Sequence, residues 1–153
     1  MKTQEQWFAE YAVSHQNETN LKIHKICVPL IFWSIAGLLV SIPSGFLMDI
    51  VNFNNPYLIN WASLIFLPIM VFYVFNLSVK NTALMFLFAA FSVGTTVYID
   101  QYVNIFWVSL AVFVLAWIGQ FYGHKIEGKK PSFLQDLEFL LIGPAWVFEK
   151  MTR

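Results

Sequence analysis

Charged residues are scarce in this chain. Lysine, arginine, aspartate and glutamate make up 12% of its 153 residues, whereas 58% are apolar and 18% are aromatic. Soluble domains average about 25% charged residues. This composition therefore excludes an ordinary soluble domain and predicts one membrane domain over residues 1–153. The formal net charge is zero, which excludes the basic field of a nucleic-acid-binding protein and leaves no nucleic-acid partner.

Cysteine is nearly absent as well. Cys27 is the only cysteine, so no disulfide can form within the chain and no cluster of thiolates is available to a metal. A catalytic thiol needs an activating base beside it, and we expect Cys27 to be a small apolar residue in a helix. Residues 1–25 are polar and show no signal peptide, which favours a bacterial inner membrane over the endoplasmic reticulum.

Long apolar runs dominate the remaining sequence. About 20 apolar residues, at 1.5 Å each in a helix, cross the hydrocarbon core of a bilayer. Four segments fit this length and are predicted to span the membrane: residues 26–48, 58–79, 83–99 and 103–122. The sequence thus predicts an all-α integral membrane four-helix bundle, with an amphipathic helix before it and an interfacial helix after it.

Basic residues are missing from two of the predicted loops. The loops after spans one and three contain Asp49 and Asp100 but no lysine or arginine. The nine basic residues all lie before span one, between spans two and three, or after span four: Lys2, Lys22, Lys25, Lys80, Lys125, Lys129, Lys130, Lys150 and Arg153. By the positive-inside rule, both termini are predicted to be cytoplasmic, which places all three histidines of the chain at that face.

The N-terminal segment is predicted to be an amphipathic helix over residues 3–16. Trp7, Tyr11 and His15 are spaced four residues apart and therefore share one face of this helix. A helix of this kind is also typical of a segment that merely lies on the membrane surface. The pattern alone leaves both interpretations of His15 open.

Polar residues 16–20 are predicted to end this helix. Asparagine and threonine are poor in helix interiors and good N-caps, so Thr19 or Asn20 is predicted to begin the next helix. In one continuous helix, His15 and His24 would point about half a turn apart. A turn between them allows the chain to bring the two side chains together.

A polar stripe begins in the last turn of the fourth span and continues beyond it. Gln120, His124 and Glu127 recur at spacings of four and three residues and share one helix face. Polar side chains at membrane depth are costly, so such a stripe is by default a functional site. A histidine followed by glutamate is also common on solvated helix ends, where nearby lysines meet lipid phosphates.

Three histidines on one side of the membrane predict a metal site. Imidazole suits zinc, copper, iron and nickel, and three histidines, or two with a carboxylate, leave open positions for catalysis on zinc or non-haem Fe(II). The residue types do not choose between these two metals. Glu127 is a candidate fourth ligand, a candidate orienting partner of a histidine, and a candidate general base.

The chain after span four is predicted to turn and to form a last, interfacial helix. Gly128 is predicted to end the span in a left-handed conformation. Ser132 and Gln135 fit a capping box for a helix at about residues 133–142, which is too short and too acidic to span. A Gly143-Pro144 bend is predicted to follow it.

These residues resemble the membrane 2-hydroxy fatty acid dioxygenases of fatty acid α-oxidation. The resemblance is nearly full length, and the Gln-Phe-x-Gly-His block is its most specific part. Two patterns carry it: Tyr11-x3-His15-x4-Asn20-x3-His24 followed by Pro29, and Gln120-Phe121-x-Gly123-His124-x2-Glu127-x3-Pro131 followed by Pro144.

The resemblance implies an Fe(II)-dependent enzyme that converts a 2-hydroxy fatty acid and O2 to the fatty acid one carbon shorter. The oxidation removes four electrons, which reduction of one O2 to water consumes. No 2-oxoglutarate or nicotinamide is then required, and the sequence has no dinucleotide fingerprint. We predict His15, His24 and His124 as the metal ligands and place four catalytic residues around them: Tyr11, Asn20, Gln120 and Glu127.

Two other functional classes stay open at this point. One is a non-catalytic membrane scaffold or transporter subunit whose histidines are incidental, although transport usually needs ionisable groups inside the spans. The other is a zinc-dependent membrane hydrolase, which would need a zinc-activated water and a base such as Glu127.

Overall fold

The computed structural model describes residues 2–129 and 136–152. Within these ranges the regular secondary structure is helical and no strand is present, which confirms the predicted all-α class. The described residues form seven helices: α1 Gln4–Ala12, α2 Glu18–Val40, α3 Gly45–Val51, α4 Trp61–Asn76, α5 Val79–Asp100, α6 Ile105–Glu127 and α7 Asp136–Thr152.

Three of these helices are long and apolar enough to cross a membrane: α2, α5 and α6. Helix α4 is apolar but has only 16 residues, fewer than the roughly 20 that a span requires. The membrane character is therefore supported by three helices, and the four-span bundle stays a prediction.

The helix that corresponds to the first predicted span has different bounds at both ends. Helix α2 begins at Glu18 and ends at Val40, whereas the apolar run predicted residues 26–48. It begins earlier because Asn17 adopts an extended conformation and its side chain accepts hydrogen bonds from the next turn. It ends earlier because Pro43 follows its C-terminus and cannot continue a helix.

The turn before α2 also differs in detail from its prediction. Helix α1 ends at Ala12 rather than at residue 16, so His15 lies outside any helix. The N-cap of α2 is Asn17, whose Oδ1 accepts from the amide of Thr19 at 2.9 Å. Thr19 and Asn20 therefore lie inside the first turn, and neither is the cap.

Helix α2 is the centre of the fold and packs against α4, α5, α6 and α7, most extensively against α6. Glycines on α6 allow this close approach. A β-carbon at Gly119 would lie 2.6 Å from the Sγ of Cys27, and one at Gly123 would overlap Oδ1 of Asn20. Because these two positions lack side chains, the N-terminal end of α2 can pack directly against the C-terminal end of α6.

Hydrogen bonds gather the segments that contain the basic residues at one end of the structure. Gln4 in α1 accepts from the amide of Ser78, before α5, at 2.6 Å. Lys80 at the start of α5 donates to Thr152 at the end of α7 at 3.0 Å. This arrangement agrees with the charge pattern of the loops, while the side of the membrane that this end faces stays a prediction.

The predicted end of the last helix is wrong. Helix α7 continues through Gly143 and Pro144 to Thr152, and no bend ends it near residue 142. Tertiary packing holds it, because residues 142–147 are buried and the hydroxyl of Tyr73 donates to the carbonyl of Leu141 at 2.6 Å.

The connection from α6 to α7 is described only in part. Gly128 has a φ of 74° and caps α6 in the left-handed region, which confirms the predicted C-cap. The predicted capping box of Ser132 and Gln135 lies outside the described residues.

Candidate metal centre

The three histidines come from three different elements and meet at one point. His15 lies in the turn between α1 and α2, His24 on α2, and His124 near the end of α6. One possible ligand atom of each lies within 4.8 Å of those of the others. Nitrogens bound to one ion at about 2.0–2.1 Å lie roughly 3–4 Å apart, so small ring rotations would close the site around a metal.

Backbone carbonyls fix the orientation of two of the imidazole rings. Nδ1 of His15 lies 2.6 Å from the carbonyl oxygen of Tyr11, and Nδ1 of His24 lies 2.9 Å from that of Asn20. Because a carbonyl only accepts, each Nδ1 must carry the proton, and each Nε2 then presents a lone pair. This arrangement is typical of metal-ligating histidines.

Two ring nitrogens in the cluster are buried without a partner. Nε2 of His15 and Nδ1 of His124 have no hydrogen bond from the described residues. Buried polar atoms are normally paired, and an unpaired one is costly. A metal ion would supply the missing partner to both, so the residues present fit a metal.

The protonation state of His15 suits this role. Burial, with a smaller contribution from the neighbouring His124, lowers the pKa of His15 to about 4. The ring is therefore neutral near pH 7, which is the form that binds metals.

Aromatic residues form one wall of the cluster. The ring of Tyr11 stacks on His15, with ring centroids 4.1 Å apart and an interplanar angle of 5°. Trp146 of α7 packs against both rings, at 5.6 Å from His15 and 4.9 Å from Tyr11. Gly143 allows α7 to approach Tyr11 this closely, because a β-carbon there would lie 3.0 Å from the Tyr11 hydroxyl oxygen.

Trp146 and Gly143 were not among the predicted site residues. In the sequence, Gly143 and Pro144 predicted a bend, and Trp146 follows that bend. Only the packing of α7 on α1 shows that this segment reaches His15. The one local signal in the sequence that this segment could contribute to the site was Trp146 itself.

The predicted polar neighbours all surround the cluster. Gln120 is buried and lies beside the side chain of His24. Glu127 accepts hydrogen bonds of 2.9 Å from the amides of Gln16 and Asn17 and from the side chain of Asn20. The structure thus brings together every residue assigned to the site, while their catalytic roles stay predictions.

Exposure differs among the three histidines. His15 and His24 are buried, whereas His124 is half-buried. The site is thus closed on the side of α1 and α7 and more open on the side of α6.

Comparison with known proteins gives one family. The family model described as "2-hydroxy-palmitic acid dioxygenase Mpo1-like" matches residues 1–153. No curated protein and no solved structure matches the chain.

Proposed function

The chain belongs to the Mpo1-like family of 2-hydroxy-palmitic acid dioxygenases, and from this premise we propose that it is a membrane dioxygenase for 2-hydroxy fatty acids. The proposed reaction joins one 2-hydroxy fatty acid and one O2 and releases the fatty acid one carbon shorter, CO2 and water. The bond between C1 and C2 breaks, and the four electrons removed from the substrate reduce O2.

The convergence of three histidines, two of which have a buried ring nitrogen without a partner among the described residues, is the observation that carries this proposal. His15, His24 and His124 would hold the metal. Three neutral nitrogen donors without a thiolate fit Fe(II), which when bound supplies the redox chemistry that O2 requires. Iron as the cofactor is part of the proposal.

The chain's own residues would bind and orient the substrate. The aromatic wall of Tyr11 and Trp146 excludes water from the buried side of the cluster. The outer faces of α2 and α6 are apolar, with exposed side chains such as Ile26 and Phe121 close in sequence to the histidines. We propose that the acyl chain lies along these faces in the bilayer while the 2-hydroxy carboxylate reaches the site.

A zinc hydrolase is less well supported by the same geometry. A zinc hydrolase needs a general base beside the metal, and Glu127 is the candidate for this role. Both Glu127 oxygens accept hydrogen bonds from the α1–α2 turn, so the carboxylate is occupied. A non-catalytic scaffold does not explain why the three imidazole rings converge or why two of their nitrogens are buried without a partner in the described part of the chain.

The direct test measures the proposed stoichiometry. Purified protein loaded with Fe(II) and given 2-hydroxypalmitic acid is expected to consume one O2 and to release one CO2 and one pentadecanoic acid per substrate. Palmitic acid, which lacks the hydroxyl, and zinc-loaded protein serve as controls and are expected to give no O2 uptake. Iron-loaded protein that consumes no O2 with the hydroxy acid would contradict the proposal.

The proposed sidedness has its own test. Single cysteines replace Asn54 and Lys129 in a Cys27→Ser background, and a membrane-impermeant maleimide is added to sealed vesicles of known orientation. Both positions are exposed. We expect labelling of residue 129 only from the cytoplasmic side and of residue 54 only from the opposite side, and labelling of both from one side would overturn the topology.

A further inference from the structure

We infer that Glu127 is a positioning residue that holds His15 in the metal site, and not a metal ligand. The inference rests on the proposed function in that it takes the histidine cluster to bind a metal. It assigns Glu127 one of the three roles that its sequence context leaves open.

His15 is the ligand whose position needs such support. His24 and His124 are carried by the long helices α2 and α6, whereas His15 lies in the turn that follows α1. Apart from its ring contacts, its place depends on the backbone of that turn. The amides of Gln16 and Asn17 do not donate to any backbone carbonyl of the described residues, so this part of the turn depends on side-chain partners.

Glu127 holds the two residues that follow His15. Its Oε1 accepts from the amide of Gln16, and its Oε2 accepts from the amide of Asn17, both at 2.9 Å. Hydrogen bonds to a carboxylate are roughly twice as strong as neutral ones. Glu127 also lies one helical turn after His124 on α6. The residue that holds the turn of His15 is therefore next to His124.

Asn20 extends this connection to the third histidine. Its Nδ2 donates to Oε2 of Glu127 at 2.9 Å and to the carbonyl of Ser14 at 3.3 Å. Its own carbonyl accepts from Nδ1 of His24. One set of hydrogen bonds centred on Glu127 and Asn20 thus ties together the turn carrying His15, the first turns of α2 and the end of α6.

The same contacts occupy both oxygens of the carboxylate. Both oxygens face the α1–α2 turn, and among the described residues only the three histidines group as possible ligands. A positioning residue acts through the ligand that it positions. Its effect should therefore vanish once that ligand is removed, whereas the effect of a true ligand should persist.

A double-mutant cycle on metal affinity tests this distinction. The affinity of the detergent-purified full chain for Co(II) is measured for wild type, Glu127→Ala, His15→Ala and the double variant. We expect Glu127→Ala to weaken binding about 10–100-fold, as removal of partners of metal ligands does. We expect the double variant to bind no more weakly than His15→Ala alone, and additive losses would overturn the inference.

The absorption spectrum of bound Co(II) gives a second readout. At saturating Co(II), Glu127→Ala is expected to keep the wild-type visible bands, because its ligand set is unchanged, whereas His15→Ala is expected to shift them. A shift in Glu127→Ala as large as that in His15→Ala would identify the carboxylate as a ligand and overturn the inference.

Two further variants control for charge and folding. Glu18→Ala removes an exposed carboxylate close to the same turn and is expected to bind Co(II) as wild type does. Glu127→Gln keeps one acceptor oxygen and is expected to lose less affinity than Glu127→Ala, which keeps the test valid if the alanine variant does not fold. Wild-type protein without Co(II) or iron binding contradicts the proposed function, whereas wild-type binding that Glu127→Ala and Glu127→Gln fully retain contradicts only this inference.

Discussion

Replacing any one of His15, His24 or His124 with alanine is expected to lower iron affinity at least about 100-fold and to abolish turnover of the 2-hydroxy acid. The reason is that each ring contributes one of three protein ligands, and loss of even a partner of a ligand costs about 10–100-fold. The chain has only three histidines, so no other imidazole can replace the missing one. Bound iron per chain and O2 uptake are the two measurements.

Helix content and the elution volume in detergent separate loss of a ligand from loss of the fold. The three variants are expected to retain the helical circular dichroism of wild type, because apolar side chains of α2, α4 and α5 form a hydrophobic core that does not include the histidines. A variant that retains full iron occupancy at micromolar Fe(II) would show that its histidine is not a ligand.

Gly123→Ala is expected to have the second largest effect. The new β-carbon would overlap Oδ1 of Asn20 and lie 3.5 Å from the His24 ring. Asn20 cannot turn aside easily, because it is fully buried and its amide nitrogen donates to Glu127. Helices α2 and α6 must therefore separate where two ligands lie, and overpacking of this kind costs about 1–3 kcal/mol.

Gly94→Ala is the matched control for this substitution. Gly94 is also within a long helix, but a β-carbon there meets no heavy atom within 4 Å. Alanine in place of glycine at a compatible helical position usually stabilises by about 0.4–1 kcal/mol. We thus expect Gly123→Ala to have lower thermal stability and weaker Co(II) affinity than wild type, and Gly94→Ala to have neither defect. Thermal unfolding and Co(II) titration measure these two properties. Equal behaviour of the two variants would contradict the close packing at Gly123.

The fold class and the histidine cluster were predictable from the sequence because their signals are local or compositional. Apolar runs predict helices that cross a membrane, and the four-residue spacing from Tyr11 to His15 and from Asn20 to His24 indicates shared faces. The loop charges then predicted that the histidine-bearing segments lie at one membrane face. The structure places these segments together, which the sequence could only suggest.

The contacts of Glu127 could not be predicted in the same way. Its three partners lie 107 to 111 residues earlier in the chain. A carboxylate three residues after a histidine is equally typical of a ligand, a base or a solvated helix end. Only the approach of α6 to the α1–α2 turn shows which groups its oxygens accept from.

Helix α7 shows how tertiary packing overrides a local signal. Gly143 and Pro144 both disfavour a helix interior, and their pairing predicted a bend. Burial of this segment against α1 and α2, with the Tyr73 hydrogen bond to Leu141, stabilises a continuous helix. The same packing brings Trp146 against His15. Because the sequence predicted a bend at this point, it did not indicate that Trp146 lies beside the histidine cluster.

X-ray absorption at the iron edge of Fe(II)-loaded protein most directly tests whether three histidines hold the metal. We predict one iron per chain, with outer-shell scattering from three imidazole rings and nitrogen donors at about 2.0–2.2 Å. In His15→Ala, the scattering that remains is predicted to come from two rings. A wild-type spectrum without imidazole scattering, or one that His15→Ala leaves unchanged, would contradict the assignment of His15, His24 and His124 as the metal site.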